Sequence, residues 1–296
     1  MSIFKKLPNN IEIIKWNEKL EHQAYELLNK YKESSLFLLA NLKEHGSKLT
    51  DASYSANFKC LVKNNQVVAV FALTRTGTIL VQTDRAYDYS EIIVSESLKE
   101  PISISGVIAE WDLAKQIWDY AKNKIFGFDK VFCKKTMLFS IRLNDLVYVK
   151  ASFCIKYLEP QNYAEWNAIN NALLLERNLN QNENETAKHK RFLGNIQHQY
   201  LFGVFINKQL IATASFISCV DKLGQIGDVF TIPAMRRQGL AKELVYQLLI
   251  DGKINKHLEE VVLFTGEDNH AAIKLYEGLG FKKIGYIGLL FKSSSG

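Results

Sequence analysis

No stretch of the 296 residues is an unbroken apolar run of 18, so nothing in the chain is long and apolar enough to cross a bilayer as a helix. The opening MSIFKKLPNN has no apolar segment of leader length, which predicts a cytoplasmic protein with no membrane partner. Cysteine is scarce: Cys60, Cys133, Cys154 and Cys219 lie far apart, with no CxxC pair and no histidine at ligand spacing. A disulfide framework and a zinc site are therefore not expected, and no metal is. Basic blocks are missing too, since no Lys/Arg run exceeds two residues. The net charge of +6 divides as +4 over residues 1–150 and +2 over 151–296, leaving no electrostatic footprint for nucleic acid.

What is present is material for a core: 47% apolar residues against 23% charged, in a length that suggests two domains. EKLEHQAYELLNKYKESSLFLLANLKEHG predicts two helices, KCLVKNNQVVAVFALT two strands around a turn, and TGTILVQTD a third. ISISGVIAE reads as strand, DLAKQIWDYAKNK as a helix burying Leu113, Ile117, Trp118 and Ala121, and DKVFCKKTMLFSIRL as strand. From residue 149 the order recurs: two helices, a hairpin around Asn207–Lys208, the strand QIGDVFTI, a helix with Leu240, Leu244, Val245, Leu248 and Leu249 inward and Gly252 as C-cap, the strand EEVVLFTG, the helix NHAAIKLYEGLG and a last strand, KKIGYIGLLF. The expectation is a mixed-sheet α/β protein of two similar units, residues 1–148 and 149–296. A shared Leu-Ala-Lys, at Leu113–Lys115 and Leu240–Lys242, suggests that those two helices correspond.

A polar tetrapeptide, Arg236–Gly239, interrupts the apolar IPAMRRQGLAKELV between a strand and a helix. A glycine turn entering a helix leaves backbone N–H groups unpaired at the positive end of the helix dipole, a ready anion site. Gly239 lets oxygens approach the backbone, Ala241 keeps the next turn open, and Arg236, Arg237 and Gln238 can add polar contacts. This segment resembles the R/Q-x-x-G-x-G/A acyl-coenzyme A signature of the GNAT superfamily of N-acetyltransferases, with Arg236, Gly239 and Ala241 on its positions. About thirty residues on, Asn269, Ala272, Leu275, Tyr276, Gly280 and Phe281 fall on a second signature, N-x-x-A-x-x-L-Y-x-x-x-G-F. The whole arrangement resembles the predicted bacterial tandem GNAT acetyltransferases with a degenerate first domain.

The resemblance implies two tandem GNAT-like acyl-CoA N-acyltransferase domains and acetyl-CoA as cosubstrate. It implies a small-molecule amine as acceptor and admits a homodimer. The loop Arg236, Arg237, Gln238, Gly239, Leu240 and Ala241 would hold the pyrophosphate. The strand backbone at Val229, Phe230 and Thr231 would hold the pantetheine and thioester, with Asn269 touching the same arm. Tyr276, a phenol protonated at neutral pH, would donate the proton to the leaving thiolate. The general base is open between Asp228, Glu176, His270 and water. The first half is expected to lack the loop: 7 steps separate Gly106 from Leu113, against 13 from Gly227 to Leu240, and Glu110 and Asp112 would repel a pyrophosphate. Other readings are a non-catalytic acetyl-CoA sensor and a protein-lysine or longer-chain acyltransferase.

Overall fold

Each half of the chain runs through the same ten elements. The computed structural model describes residues 10–125, 131–177 and 183–292. The first half is β1 (Ile11–Lys15), α1 (Glu18–Lys30), α2 (Lys32–His45), β2 (Ala56–Lys63), β3 (Gln66–Thr74), β4 (Thr78–Thr83), α3 (Ser90–Ser97), β5 (Gly106–Glu110), α4 (Trp111–Lys124) and β6 (Val131–Arg142). The second is β7 (Cys154–Tyr157), α5 (Tyr163–Glu176), α6 (Glu185–Gln197), β8 (Leu201–Ile206), β9 (Gln209–Val220), β10 (Leu223–Thr231), α7 (Leu240–Asn255), β11 (Glu260–Gly266), α8 (His270–Glu277) and β12 (Lys282–Lys292). Both hairpins turn on residues held at positive φ, Asn64–Asn65 (50°, 62°) and Asn207–Lys208 (49°, 65°). That is the primed geometry that matches strand twist.

The chain divides into two compact units, but not at a single cut after residue 148. Unit 1 holds residues 1–138 together with 284–296, and unit 2 holds residues 139–283. The expected last strand of the second copy, KKIGYIGLLF, thus belongs mainly with the first: Ile287–Phe291 of β12 pair antiparallel with Gly106–Glu110 of β5. In unit 1 the strand order is β1-β2-β3-β4-β5-β12. Its core joins Phe71 and Val81 of the strands, Ile93 and Val94 of α3, Ile117 and Trp118 of α4, and Leu290 of β12.

In unit 2 the order is β11-β10-β9-β8-β7. Trp166, Ile169 and Leu173 on one stripe of α5 pack with Phe192, Leu201, Leu210 and Phe230. The five expected inward residues of α7, Leu240, Leu244, Val245, Leu248 and Leu249, are all buried. Each such burial is worth about 1.5–3 kcal/mol. Gly252 is not the C-cap: α7 runs on to Asn255, and Gly252 is buried inside it. A Cβ there would lie 2.8 Å from Cζ of Phe216, so the glycine answers to packing against β9.

Two elements change how the halves correspond. α3, with the sequence SEIIVSES, and β7 are not among the elements expected from the sequence. With α3 in place, the helix after the third hairpin strand in unit 1 is α3, so α3 matches α7 and α4 matches α8. The shared Leu-Ala-Lys does not mark equivalent positions: Leu113 sits in α4 and Leu240 starts α7. The true counterpart of the polar loop is residues 84–89, not Glu110–Asp112.

Candidate active site

β10 and β11 part company early. They pair in parallel from Leu223↔Glu260 to Gln225↔Val262, and among the described residues the ladder stops there. β10 runs on to Thr231 with β9 on its other side. Between Gly227↔Ser215 and Phe230↔Thr213 the register slips, so Asp228 and Val229 together face Ala214 alone. Such a bulge needs a residue off the extended conformation, and Asp228 supplies it at φ 49°. β10 therefore presents an unladdered backbone edge just past the point where the strands diverge.

The loop after β10 opens a second set of backbone groups. Pro233–Met235 makes one 3-10 turn, then Arg237 and Gly239 both take left-handed φ, 64° and 84°. Gly239 is the N-cap of α7, and it has no side chain with which to satisfy the first amides. The backbone N–H groups of Arg237, Gln238, Gly239, Leu240 and Ala241 meet no acceptor among the described residues, the first bond being Glu243 N to Gly239 O at 3.1 Å. An added Cβ at Gly239 would meet nothing within 4 Å, so the space in front of these donors is open. Five open donors at the positive end of a 16-residue helix fit an anion, and phosphate oxygens in particular.

The C-terminal end of α5 lies beside this strand and the loop that follows it. Arg236 does not extend toward the open amides. Its Nε donates to Thr231 O at 2.9 Å, its Nη2 reaches Glu176 Oε2 at 2.6 Å, and its guanidinium stacks 5.2 Å from the Phe230 ring centre. The expected side-chain contact from Arg236 to a ligand is replaced by a brace that fixes the loop. The same brace engages Glu176, which takes it out of contention as a free base. Arg177, the next residue, reaches Asp228 Oδ1 at 3.5 Å. His270 lies exposed at the start of α8. Asn269 caps α8, its Oδ1 accepting from Ala272 N at 3.2 Å.

Tyr276 stands at the far end of α8, only 7% exposed and edge-on to Phe281. Its hydroxyl has no protein hydrogen-bond partner among the described residues. Burial pushes its pKa up to about 12; the charge of Arg177 pulls it down and that of Asp228 pushes it up. The phenol is thus a retained proton facing two opposite charges. Sequence reasoning missed Arg177, whose partner is 51 residues away. No local signal marks such a pair.

Unit 1 repeats the scaffold without the opening. β4 and β5 also pair over three residues, Thr78↔Gly106 to Leu80↔Ile108. In the following loop, however, side chains have taken three of the amides: Asp84 Oδ1 accepts from Ala86 N, Thr83 Oγ1 from Arg85 N, and Asp88 Oδ1 from Ser90 N. Tyr89 is fully buried there and donates to Asp84. Gln82 is plugged by Ser34 and Ser35 of α2.

An independent comparison bears on unit 2. Residues 166–281 match the family model described as Acetyltransferase (GNAT) family. Across the full length the fold is that of tandem GNAT proteins. A GCN5-related N-acetyltransferase from Sphaerobacter thermophilus matches with a TM-score of 0.64 at 12% identity, over 96% of both chains. A tandem GNAT protein from the clavulanic acid biosynthesis pathway matches with a TM-score of 0.56 at 13% identity, over 97% of this chain and 99% of the other. The N-alpha-acetyltransferase 30 of Saccharomyces cerevisiae is 41% identical over 58 residues, or 20% of this chain. The chain matches only about a third of that yeast relative, 32% of its length. Gly239 and Tyr276 both lie inside the matched segment.

Proposed function

We propose that the chain is an acetyl-CoA-dependent N-acetyltransferase that moves an acetyl group to the primary amine of a small molecule or amino acid. The observation that carries this reading is the row of five open amides, Arg237 to Ala241, beside a strand that has parted from its neighbour. The amides would hold the pyrophosphate of the cosubstrate, and the bulged edge at Val229–Thr231 would receive the thioester. Backbone donors there would face the carbonyl oxygen as charge develops on it. Unit 1, in whose corresponding loop side chains already accept from the amides of Arg85, Ala86 and Ser90 and the buried Tyr89 stands in the place of Gly239, is proposed to bind no coenzyme A.

Tyr276 and Asp228 divide the proton traffic. Asp228, the one of the three candidate side-chain bases whose charge reaches the phenol, receives the proton of the incoming ammonium. The freed nitrogen lone pair forms the C–N bond, and the electrons of the C–S bond leave with sulfur. Tyr276 gives its proton to that sulfur; the second proton of the nitrogen, shed as the amide forms, restores the phenol, and Asp228 releases its proton to solvent. Direct transfer needs no acyl-enzyme nucleophile.

The test is release of coenzyme A from acetyl-CoA by the full chain against a panel of amines, together with acetyl-CoA binding by calorimetry. Binding with turnover on at least one amine is expected. Tight binding with no acetylated product from any amine would make the chain a sensor, and failure to bind would remove the reading altogether.

A further inference from the structure

Two consecutive residues at the end of α5 form two ion pairs of different character. The pair of Glu176 with Arg236 is short, 2.6 Å, and is backed by the second bond from Arg236 to Thr231 O. It fastens the loop. The pair of Arg177 with Asp228 is a single contact at 3.5 Å, with both side chains about 40% exposed (40% and 41%). A guanidinium carries five donors in a planar fork matched to a carboxylate, and among the described residues one long contact engages a single nitrogen of it. Asp228 is held by a bulge at positive φ, a conformation that aspartate tolerates but a plain strand does not need. Something other than fastening accounts for this loose, half-exposed pair beside the tyrosine hydroxyl.

We infer that Arg177 and Asp228 are the recognition pair for an acceptor that carries its own carboxylate next to its amine, that is, a free α-amino acid. The inference rests on the acetyl-transfer reading above and names its substrate class. The argument is one of exchange. A simple amine drawn to Asp228 would leave Arg177 without a partner, and a polyamine would be repelled by it. A plain carboxylic acid would meet Asp228. A zwitterion inserts between the two, so that each protein charge gives up one partner and gains another, and the ammonium is delivered to the group that takes its proton. The amino terminus of a peptide has the ammonium but a neutral amide where Arg177 expects charge.

The experiment pairs each of the twenty amino acids with its C-terminal amide and its decarboxylated amine, using the full chain and acetyl-CoA. For the best acceptor, kcat/KM for the acid should exceed that for the amide by at least about 10-fold, in line with loss of a charge-assisted bidentate contact. Arg177→Gln should bring that ratio toward one, and Arg177→Lys should restore part of it. Amides or peptides used as well as acids would overturn the inference. So would an Arg177→Gln loss shared equally by acid and amide, which would make the pair a second fastener. If no amine is turned over, the enzyme reading falls separately. Calorimetric titration of the same amino acids into the chain saturated with coenzyme A then decides whether the pair binds a zwitterion, and absence of binding overturns it.

Discussion

A single hydroxyl carries the acid role assigned to Tyr276. Tyr276→Phe keeps the ring against Phe281 and removes only the proton donor, so turnover should fall by at least about 10²-fold with little change in acetyl-CoA affinity. Turnover within a few-fold of the parent would reduce Tyr276 to packing. The pH profile offers an independent check. A general acid works while protonated, and burial holds this phenol's pKa at about 12, so it should contribute no descending limb to kcat/KM below about pH 10. A fall in rate between pH 8 and 10 that disappears in Tyr276→Phe would contradict the raised value. At this scale, the residues that the sequence made readable were those whose chemistry is local. Gly239 declares its left-handed turn, and Asn269 its cap. Arg236 and Glu176 could not be read as a brace, because 60 residues of intervening chain separate them.

Helix α7 is the element on which the site depends, and it is anchored at its first turn. Buried Glu243 accepts from the amides of Ser152 and Phe153 at 2.7 and 2.9 Å. Glu243→Ala leaves both donors unmet and should cost about 1–3 kcal/mol in denaturant unfolding, whereas Glu243→Gln keeps an acceptor and should cost less. Equal losses would mean that charge rather than hydrogen bonding does the anchoring. The loop ahead of α7 allows a sharper test. Aspartate tolerates the left-handed region, so Gly239→Asp should fold, yet it sets a carboxylate before the open amides and should abolish acetyl-CoA binding. The other end of α7 predicts alkaline lability. Tyr157 of β7 donates to Asp251 of α7, and burial first, then that carboxylate, raises the phenol's pKa to about 12. The native state therefore keeps a proton that the unfolded chain loses near pH 10. Stability is fully present below that pH and should decline as pH rises toward 12, less so in Tyr157→Phe. Elements with clear periodicity, such as α4, were legible. α3 was not, because Ile92, Ile93 and Val94 are β-branched residues that favour strands, and only burial of Ile93 and Val94 in the unit 1 core makes the segment a helix. That one omission shifted the correspondence between the halves and put the blame for a missing loop on Glu110 and Asp112 instead of on the segment after β4, where side chains take the amides of Arg85, Ala86 and Ser90.

At the scale of the whole molecule, the repeat was visible but the exchange of a strand was not. Sequence order records that KKIGYIGLLF is a strand, and nothing in its alternation says that its partner is Gly106–Glu110. Ending the chain at Lys283 should therefore damage unit 1, which begins at the opposite terminus. Leu290 leaves the core it shares with Ile117 and Trp118, and β5 acquires an unpaired edge. Hydrogen exchange is expected to show lost protection at Gly106–Glu110, and unchanged protection there would refute the assignment of β12 to unit 1.

The same strand has a consequence in time. Ribosomes add about 5–20 residues per second, and domains generally fold as they emerge. Here Gly106–Glu110 is made long before Ile287–Phe291, with the whole of residues 139–283 synthesised in between. Of the two units, the one whose synthesis starts first is the last to be finished. During translation it must wait with a bare sheet edge for roughly ten seconds or more, at the rate just given, a window in which a holding chaperone would have something to hold.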